Sequence, residues 1–354
     1  MQLTVNQRLA ILLHEGVRGT HGKTGLAILR YSEAPIVAVI DRQCAGESLR
    51  LLTGIAREVP IVASVKEALA YAPDVLVIGI APSGGALPEE YWQEVRQAVV
   101  AGLSVVNGLH TPMATVPELR DSLRSGQWIW DVRREPSNLT IASAQARILR
   151  CRRVLTVGTD MGVGKMSTSL ELNWAAQKRG LRSKFLATGQ AGLMIAGDGV
   201  ALDAVRVDFA AGAVEEVVMR FGNNHDILHI EGQGSLLHPG STATLPLLRG
   251  SQPTQLVLVH RAQQSTIRNH PDVPIPPLSE VIRLYETVAG AVGAFAPVRV
   301  VAIALNTAHL DASTAKLAIE QTQAETGLPC TDPVRFGAEV LLNAVMQDVV
   351  IRNS

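Results

Sequence analysis

One stretch constrains this chain more than any other. It runs Val154-Leu155-Thr156-Val157-Gly158-Thr159-Asp160-Met161-Gly162-Val163-Gly164-Lys165-Met166-Ser167-Thr168. An apolar strand enters a glycine-rich turn, and a helix starts directly after it. Glycines let the backbone curl until successive N–H groups point inward at an anion. The helix N-terminus adds partial positive charge, and Lys165 can reach a terminal phosphate. Leu170 and Trp174 share one helix face, and Lys178-Arg179-Gly180 makes a proper end. The candidate phosphate-binding residues are therefore Gly158, Thr159, Asp160, Gly162, Gly164, Lys165, Ser167 and Thr168. Residues from about 150 onward are expected to form a phosphate-binding α/β domain.

Two details depart from the common phosphate loop. Five residues, rather than four, separate Gly158 from Gly164. The longer loop is similar to the variant in dethiobiotin synthetase and its relatives. Met166 also stands where Ser or Thr normally follows the lysine and holds magnesium. Either Ser167 or Thr168 substitutes, or the metal is held differently, or none is used.

Companion motifs follow. The apolar run Ile227–Ile230 ends at Glu231-Gly232-Gln233-Gly234-Ser235. A carboxylate at the end of a neighbouring strand holds magnesium or polarises the reacting group. Glu231 is thus a candidate catalytic residue and, with Ser167, a candidate magnesium ligand. Gly232 lets a ligand approach the backbone, and His238 in the next loop can face it. His225 and His229 are four apart, a spacing that suits metal ligands on a helix, but this segment reads as strand. Thr188-Gly189-Gln190-Ala191-Gly192 follows the short strand Lys184–Ala187, making Thr188 and Gln190 candidate substrate contacts. Of Asp198, Asp203 and Asp208, Asp203 is assigned to the ligand side. The buried strand Val300–Leu305 delivers Asn306-Thr307, and Asp332-Pro333-Val334-Arg335 is a polar loop able to close over the site through Arg335.

The first half alternates apolar runs with helical patterns. Ile36–Ile40 ends at Asp41, Val75–Ile80 is followed by Ala81-Pro82-Ser83-Gly84-Gly85, and Ser104–Val106 ends in Asn107-Gly108-Leu109-His110. Helical stretches lie near 46–57, 65–71 and 88–101. Buried strands separated by helices predict a parallel sheet, with ligands at its carboxyl edge. The pattern resembles a Rossmann-like domain, although no GxGxxG is present. Gly19-Thr20-His21-Gly22-Lys23-Thr24 resembles part of a phosphate loop but lacks its full spacing, and reads as an ordinary loop. The turn cluster Pro136-Ser137-Asn138 and the basic lead-in Arg147–Arg153 mark a boundary, giving domains 1–148 and 149–354. Pro271–Pro277 reads as a surface excursion.

Composition excludes several alternatives. Formal net charge is zero, so no basic face for nucleic acid is expected. Aromatics are 4% of the chain, so Val, Ile, Leu and Ala must fill the core. Cys44, Cys151 and Cys330 are scattered, without a CxxC pair, as expected for reduced cytosolic thiols. The longest apolar stretch, Val288–Val298, is too short to span a bilayer. The expectation is a soluble, cytoplasmic homo-oligomer acting on a small molecule, without nucleic acid or membrane.

Taken together, these stretches resemble a bacterial and archaeal family long catalogued as a domain of unknown function. That family pairs an N-terminal Rossmann-like parallel sheet with a C-terminal P-loop NTPase-like, dethiobiotin-synthetase-like parallel sheet. The matching segments are 25–31, 79–87, 108–110, 131–133, 158–168, 188–192, 203–212, 231–240, 305–307 and 332–335. Ala191 departs from the threonine expected in the Thr-Gly-Gln-Thr-Gly motif. Similarity to dethiobiotin synthetase implies that Asn306 reads an adenine ring. Some members are assigned as D-glutamate N-acetyltransferases that act before a dehydrogenase-type partner enzyme in D-glutamate breakdown. The resemblance implies acetyl-CoA as donor, held on the phosphate loop, with Glu231 or His238 as base. Two other readings remain open at this point. One is an ATP- and magnesium-dependent ligase or kinase-like enzyme, weakened by Met166; the other is a nucleotide-binding regulatory protein.

Overall fold

The computed structural model describes residues 3–82, 85 and 87–347. The first strands and helices are β1 (Leu9–Leu12), α1 (Lys23–Tyr31), β2 (Ile36–Ile40), α2 (Leu49–Thr53), β3 (Ile61–Val62), α3 (Val65–Ala68), β4 (Val75–Ile78), α4 (Glu89–Ala101), β5 (Ser104–Asn107), α5 (Pro117–Asp121) and β6 (Ile129–Asp131). There follow β7 (Arg152–Gly158), α6 (Lys165–Lys178), β8 (Ser183–Leu186), α7 (Gln190–Ala196), α8 (Val207–Gly222), β9 (Ile227–Ile230), α9 (Thr244–Ser251) and β10 (Gln255–Arg261). The last are β11 (Thr266–Ile267), β12 (His270–Pro274), α10 (Leu278–Gly290), β13 (Arg299–Asn306), α11 (Ala312–Thr326), β14 (Cys330–Thr331), α12 (Pro333–Phe336) and α13 (Glu339–Met346).

The chain divides into two compact units. One holds the described residues up to Glu135 together with Gln190–Gly197; the other holds Pro136–Gly189 and the described residues from Asp198 onward. The division thus precedes 148/149, for a physical reason. Glu215 of α8 accepts the backbone N–H groups of Ser143 (2.7 Å) and Gln145. Ala146 and Leu149 are buried in the second unit's core. Gly212 presses so closely on the Thr140 carbonyl that a side chain there would collide with it.

In the first unit six parallel strands run in the order β3-β2-β1-β4-β5-β6. Every residue of β1, β4 and β5 is buried, as apolar runs covered on both faces require. The order reverses between β1 and β4, where an open parallel sheet leaves a crevice at its carboxyl edge. Asp41 and Asn107–His110 lie along that edge; Ser83 and Gly84 fall outside the described residues. The helix expected over 46–57 contracts to α2, because Gly54 adopts the left-handed conformation (φ 68°) and stops it. The α7 segment packs here too, with Gln190 and Met194 against Gly108.

In the second unit a further six parallel strands run β14-β13-β10-β7-β9-β8. Strand β7 sits centrally, so the loop leaving it is flanked by the ends of β10 and β9. It begins at Arg152, inside the expected lead-in, and Arg153 is buried. The Arg153 guanidinium donates to the carbonyls of Leu149, Cys151, Ser251 and Gln252, which satisfies a charge that would otherwise be costly to bury. The expected excursion 271–277 is largely β12, paired antiparallel with β11 in an exposed hairpin. Among the described residues no helix is long and apolar enough to cross a membrane.

Candidate phosphate-binding site

The loop between β7 and α6 has the shape its glycines predict. Gly162 (φ 69°) and Gly164 (φ 117°) both take left-handed backbone, which side-chain-bearing residues rarely adopt. Gly164 caps α6 without any side-chain hydrogen bond, and the first turn holds no acid. Among the described residues, the backbone N–H groups of Gly162, Val163, Gly164 and Lys165 have no hydrogen-bond partner. An uncapped helix start of this kind is an anion cradle.

The carbonyl side of the same loop is tied down from four directions. The Tyr285 hydroxyl donates to the Gly158 carbonyl (2.7 Å) and accepts from the Leu236 N–H. The Asn306 amide donates to the Val163 carbonyl (2.9 Å), while its oxygen accepts from Ala308. Thr159 bonds His260 Nδ1 at 2.9 Å. Asp160 accepts from Met161 N–H, from the Gln264 amide (2.6 Å) and from Arg268 N–H (2.7 Å). The loop is therefore preorganised with its donors facing out.

Lys165 and Glu231 are both buried and each shifts the other's titration. Burial pulls the Lys165 ammonium down to about 8, against the favourable charges of Asp160 and Glu231. Its Nζ donates to the Asp160 carbonyl at 2.7 Å. Burial pushes the Glu231 carboxyl up to about 7, opposed by the Thr188 and Gly189 N–H groups and by Lys165. Those N–H groups donate to Glu231 Oε2 at 2.8 and 3.2 Å, and Thr188 Oγ1 donates to the Glu231 carbonyl at 2.8 Å. Gly232 donates to Thr156 Oγ1 at 2.9 Å and lies against the Lys165 stem. A side chain at Gly232 would collide with the Thr156 carbonyl.

The remaining candidates are spread more widely. Ser167 is half-buried on α6, and Thr168 Oγ1 donates back to the Gly164 carbonyl at 3.1 Å. His238 accepts from the Gly240 N–H (3.0 Å) and meets the His270 ring edge-on at 5.1 Å. Asp203 is exposed on a 3-10 turn. Gln190 opens α7 in the first unit. Arg335 is exposed and donates to the carbonyls of Leu310 (2.8 Å) and Asp311 (3.3 Å), fastening the turn after Asn306. His225 bonds the Phe221 carbonyl, and His229 is fully buried, with burial pushing its imidazole down to about 3. No group of three potential metal-ligating side chains occurs among the described residues.

Sequence reasoning passed over strand β10, Tyr285 and Thr156. The apolar run Leu256–Val259, ended by His260 and Arg261, carried the same signal as Ile227–Ile230. Tyr285 had no local signal, since its partner lies 127 residues away.

Comparison with known proteins agrees with this division. Residues 42–135 match a family model described as "Domain of unknown function (DUF1611_N) Rossmann-like domain". Residues 140–342 match "Domain of unknown function (DUF1611_C) P-loop domain". The chain is 38% identical over 284 residues to a protein of Tritonibacter scottomollicae named D-glutamate N-acetyltransferase, covering 80% of this chain and 84% of that one. A protein of the same name from Pseudoalteromonas sp is 36% identical over 282 residues, covering 79% and 83%. A crystal structure of a DUF1611 family protein from Anabaena variabilis ATCC 29413 is 74% identical, with a TM-score of 0.95, covering 97% of this chain and 100% of that one.

Proposed function

This chain belongs to the DUF1611 family, and from that membership and the loop geometry we propose that it is an N-acetyltransferase moving an acetyl group from acetyl-CoA to the amine of D-glutamate. Two relatives with that printed name support the acceptor and the reaction. The observation that carries the chemistry is Glu231, a buried carboxyl raised to about 7 beside the lysine of an open phosphate cradle. A base with a pKa near the working pH both takes and returns a proton readily.

In this reading the N–H groups of Gly162–Lys165 receive the donor's pyrophosphate and Lys165 offsets its charge. The D-glutamate ammonium sheds one proton to solvent. As its nitrogen bonds to the acetyl carbon, Glu231 takes a second proton. The C–S bond breaks, and that proton goes to the departing thiolate. Thr188 and Gly189 act as positioning residues, because their N–H groups fix the Glu231 carboxylate.

Titration calorimetry with acetyl-CoA and separately with Mg-ATP, paired with a thiol-release assay on D- and L-glutamate, tests the proposal. We expect acetyl-CoA heat, thiol release with D-glutamate, and loss of both in Lys165→Ala. Heat with Mg-ATP and none with acetyl-CoA would transfer the site to an ATP-dependent ligase.

A further inference from the structure

Beside the phosphate loop, in the second unit, lies a cavity of about 650 Å³. It is lined by the loop itself, Asp160–Val163, by the β11–β12 hairpin and by the end of β10 with the turn after it. Three cationic or ionisable side chains line it: Arg261, Arg268 and His309. All three are exposed, and among the described residues none has a hydrogen-bond or ion-pair partner. The only carboxylate in the lining is Asp160, already engaged by Met161, Gln264 and Arg268 N–H groups.

The arrangement is fixed by the fold. Arg261 pairs in register with Asn306, whose side chain holds Val163 of the loop. Arg268 is placed by its own backbone N–H on Asp160. Two unpaired guanidiniums thus line the same cavity as Gly162 and Val163, whose N–H groups are open. Guanidinium forks match phosphate oxygens bidentately, and a phosphomonoester carries up to two negative charges near neutral pH. The cavity has room for a ribose with its phosphate, more than a lone carboxylate needs.

We propose that the Arg261–Arg268–His309 cavity binds a phosphomonoester, the 3′-phosphate of the coenzyme A ribose. The inference rests on acetyl-CoA being the donor and makes that 3′-phosphate the feature separating it from a plain adenine nucleotide. The cradle of Gly162–Lys165 treats any diphosphate alike; this cavity does not.

The experiment is calorimetry of the full chain with coenzyme A and with 3′-dephospho-coenzyme A, repeated on Arg261→Ala/Arg268→Ala. Melting midpoints check that the variant is folded; both side chains are exposed, and the Arg268 N–H bond to Asp160 survives the change. We expect the wild-type protein to bind coenzyme A at least about tenfold more tightly than the dephospho form, since charged hydrogen bonds to phosphate are lost. The double variant should bind both ligands equally, at the wild-type affinity for the dephospho form. Equal binding of both ligands by the wild-type protein overturns the inference and leaves the donor reading standing. Discrimination that survives in the double variant overturns it as well. If the double variant instead weakens D-glutamate binding and spares coenzyme A, the cavity belongs to the acceptor and the inference falls. Absence of any coenzyme A binding removes both the inference and the donor reading.

Discussion

Two strand–loop–helix corners in this chain share one grammar and differ in where a carboxylate points and in whether the lysine is buried. In the first unit, β1 leads through a glycine-rich loop into α1 at Gly22-Lys23-Thr24; in the second, β7 leads through another into α6 at Gly164-Lys165-Met166. Both helices lack a side-chain cap and an acid in the first turn. The first corner holds a carboxylate within its own loop. Asp41, at the end of β2, accepts the N–H groups of Glu15 and Val17 at 3.2 Å and of Gln43 at 3.1 Å. Gly16 and Gly22 are pressed together, so a side chain added at either would meet the other's backbone within 2.9 Å. Lys23 stays exposed. In the second corner the nearby acid, Glu231, is aimed at the neighbouring Thr188-Gly189 turn, so the loop's own donors remain open and Lys165 is buried among them. The strand-end carboxylate thus points into the loop of the first corner and away from the loop of the second.

The largest test of this contrast pairs the two lysines. Lys165→Ala should weaken acetyl-CoA binding by roughly 100-fold, as a buried charged partner of the phosphates is lost. Lys23→Ala should change it by less than about twofold, as for an exposed surface charge. Equal losses in calorimetry would erase the distinction.

Next comes pH. With Glu231 acting ionised and Lys165 acting protonated, kcat/KM should rise through about 7 and fall above about 8. Glu231→Gln should abolish the acidic limb together with most of the activity. Stability runs the other way. Between its ordinary 4.5 and about 7, folded Glu231 holds a proton the unfolded chain has lost, so its contribution to stability declines as pH climbs through that window. Between about 8 and the ordinary 10.5 the unfolded chain keeps a proton that folded Lys165 has lost, so stability recovers as pH climbs. The pair is charged, and least comfortable, where the enzyme is expected to work. A melting temperature flat from pH 5 to 10 would contradict the buried pair.

How far the sequence could be read follows the range of each interaction. The phosphate loop, the strand ending at Glu231 and the strand delivering Asn306 are local patterns, and the structure has each within a residue or two. The anchoring of the loop is not local: Tyr285 reaches Gly158, and Gln264 reaches Asp160, from more than a hundred residues away. The domain boundary was obscured in the same way. Arg147–Arg153 has the polarity of a linker, yet Leu149 and Arg153 are buried by partners on α8 and after α9. Aspartates spaced by five define no helical face, and Asp203 emerges exposed on its turn. Asp41 follows β2 at the carboxyl edge of the sheet, as its strand predicts, but only three dimensions reveal that its oxygens are taken by its own neighbourhood.

That last point gives the smallest expected effect on activity. Asp41→Ala leaves the N–H groups of Glu15, Val17 and Gln43 without their shared acceptor in a corner too tight for easy rescue. Losing these bonds, one of them to the buried Val17 N–H, should lower stability by about 1–3 kcal/mol in a denaturant titration. At temperatures where the variant is folded, kcat/KM should stay within about twofold, because the Asp41 oxygens are engaged by their own loop. The opposite pattern, a stable protein with activity reduced tenfold or more, would mean that Asp41 holds a ligand group such as a ribose hydroxyl. The first corner would then be a second binding site, and the contrast between the two loops would no longer stand.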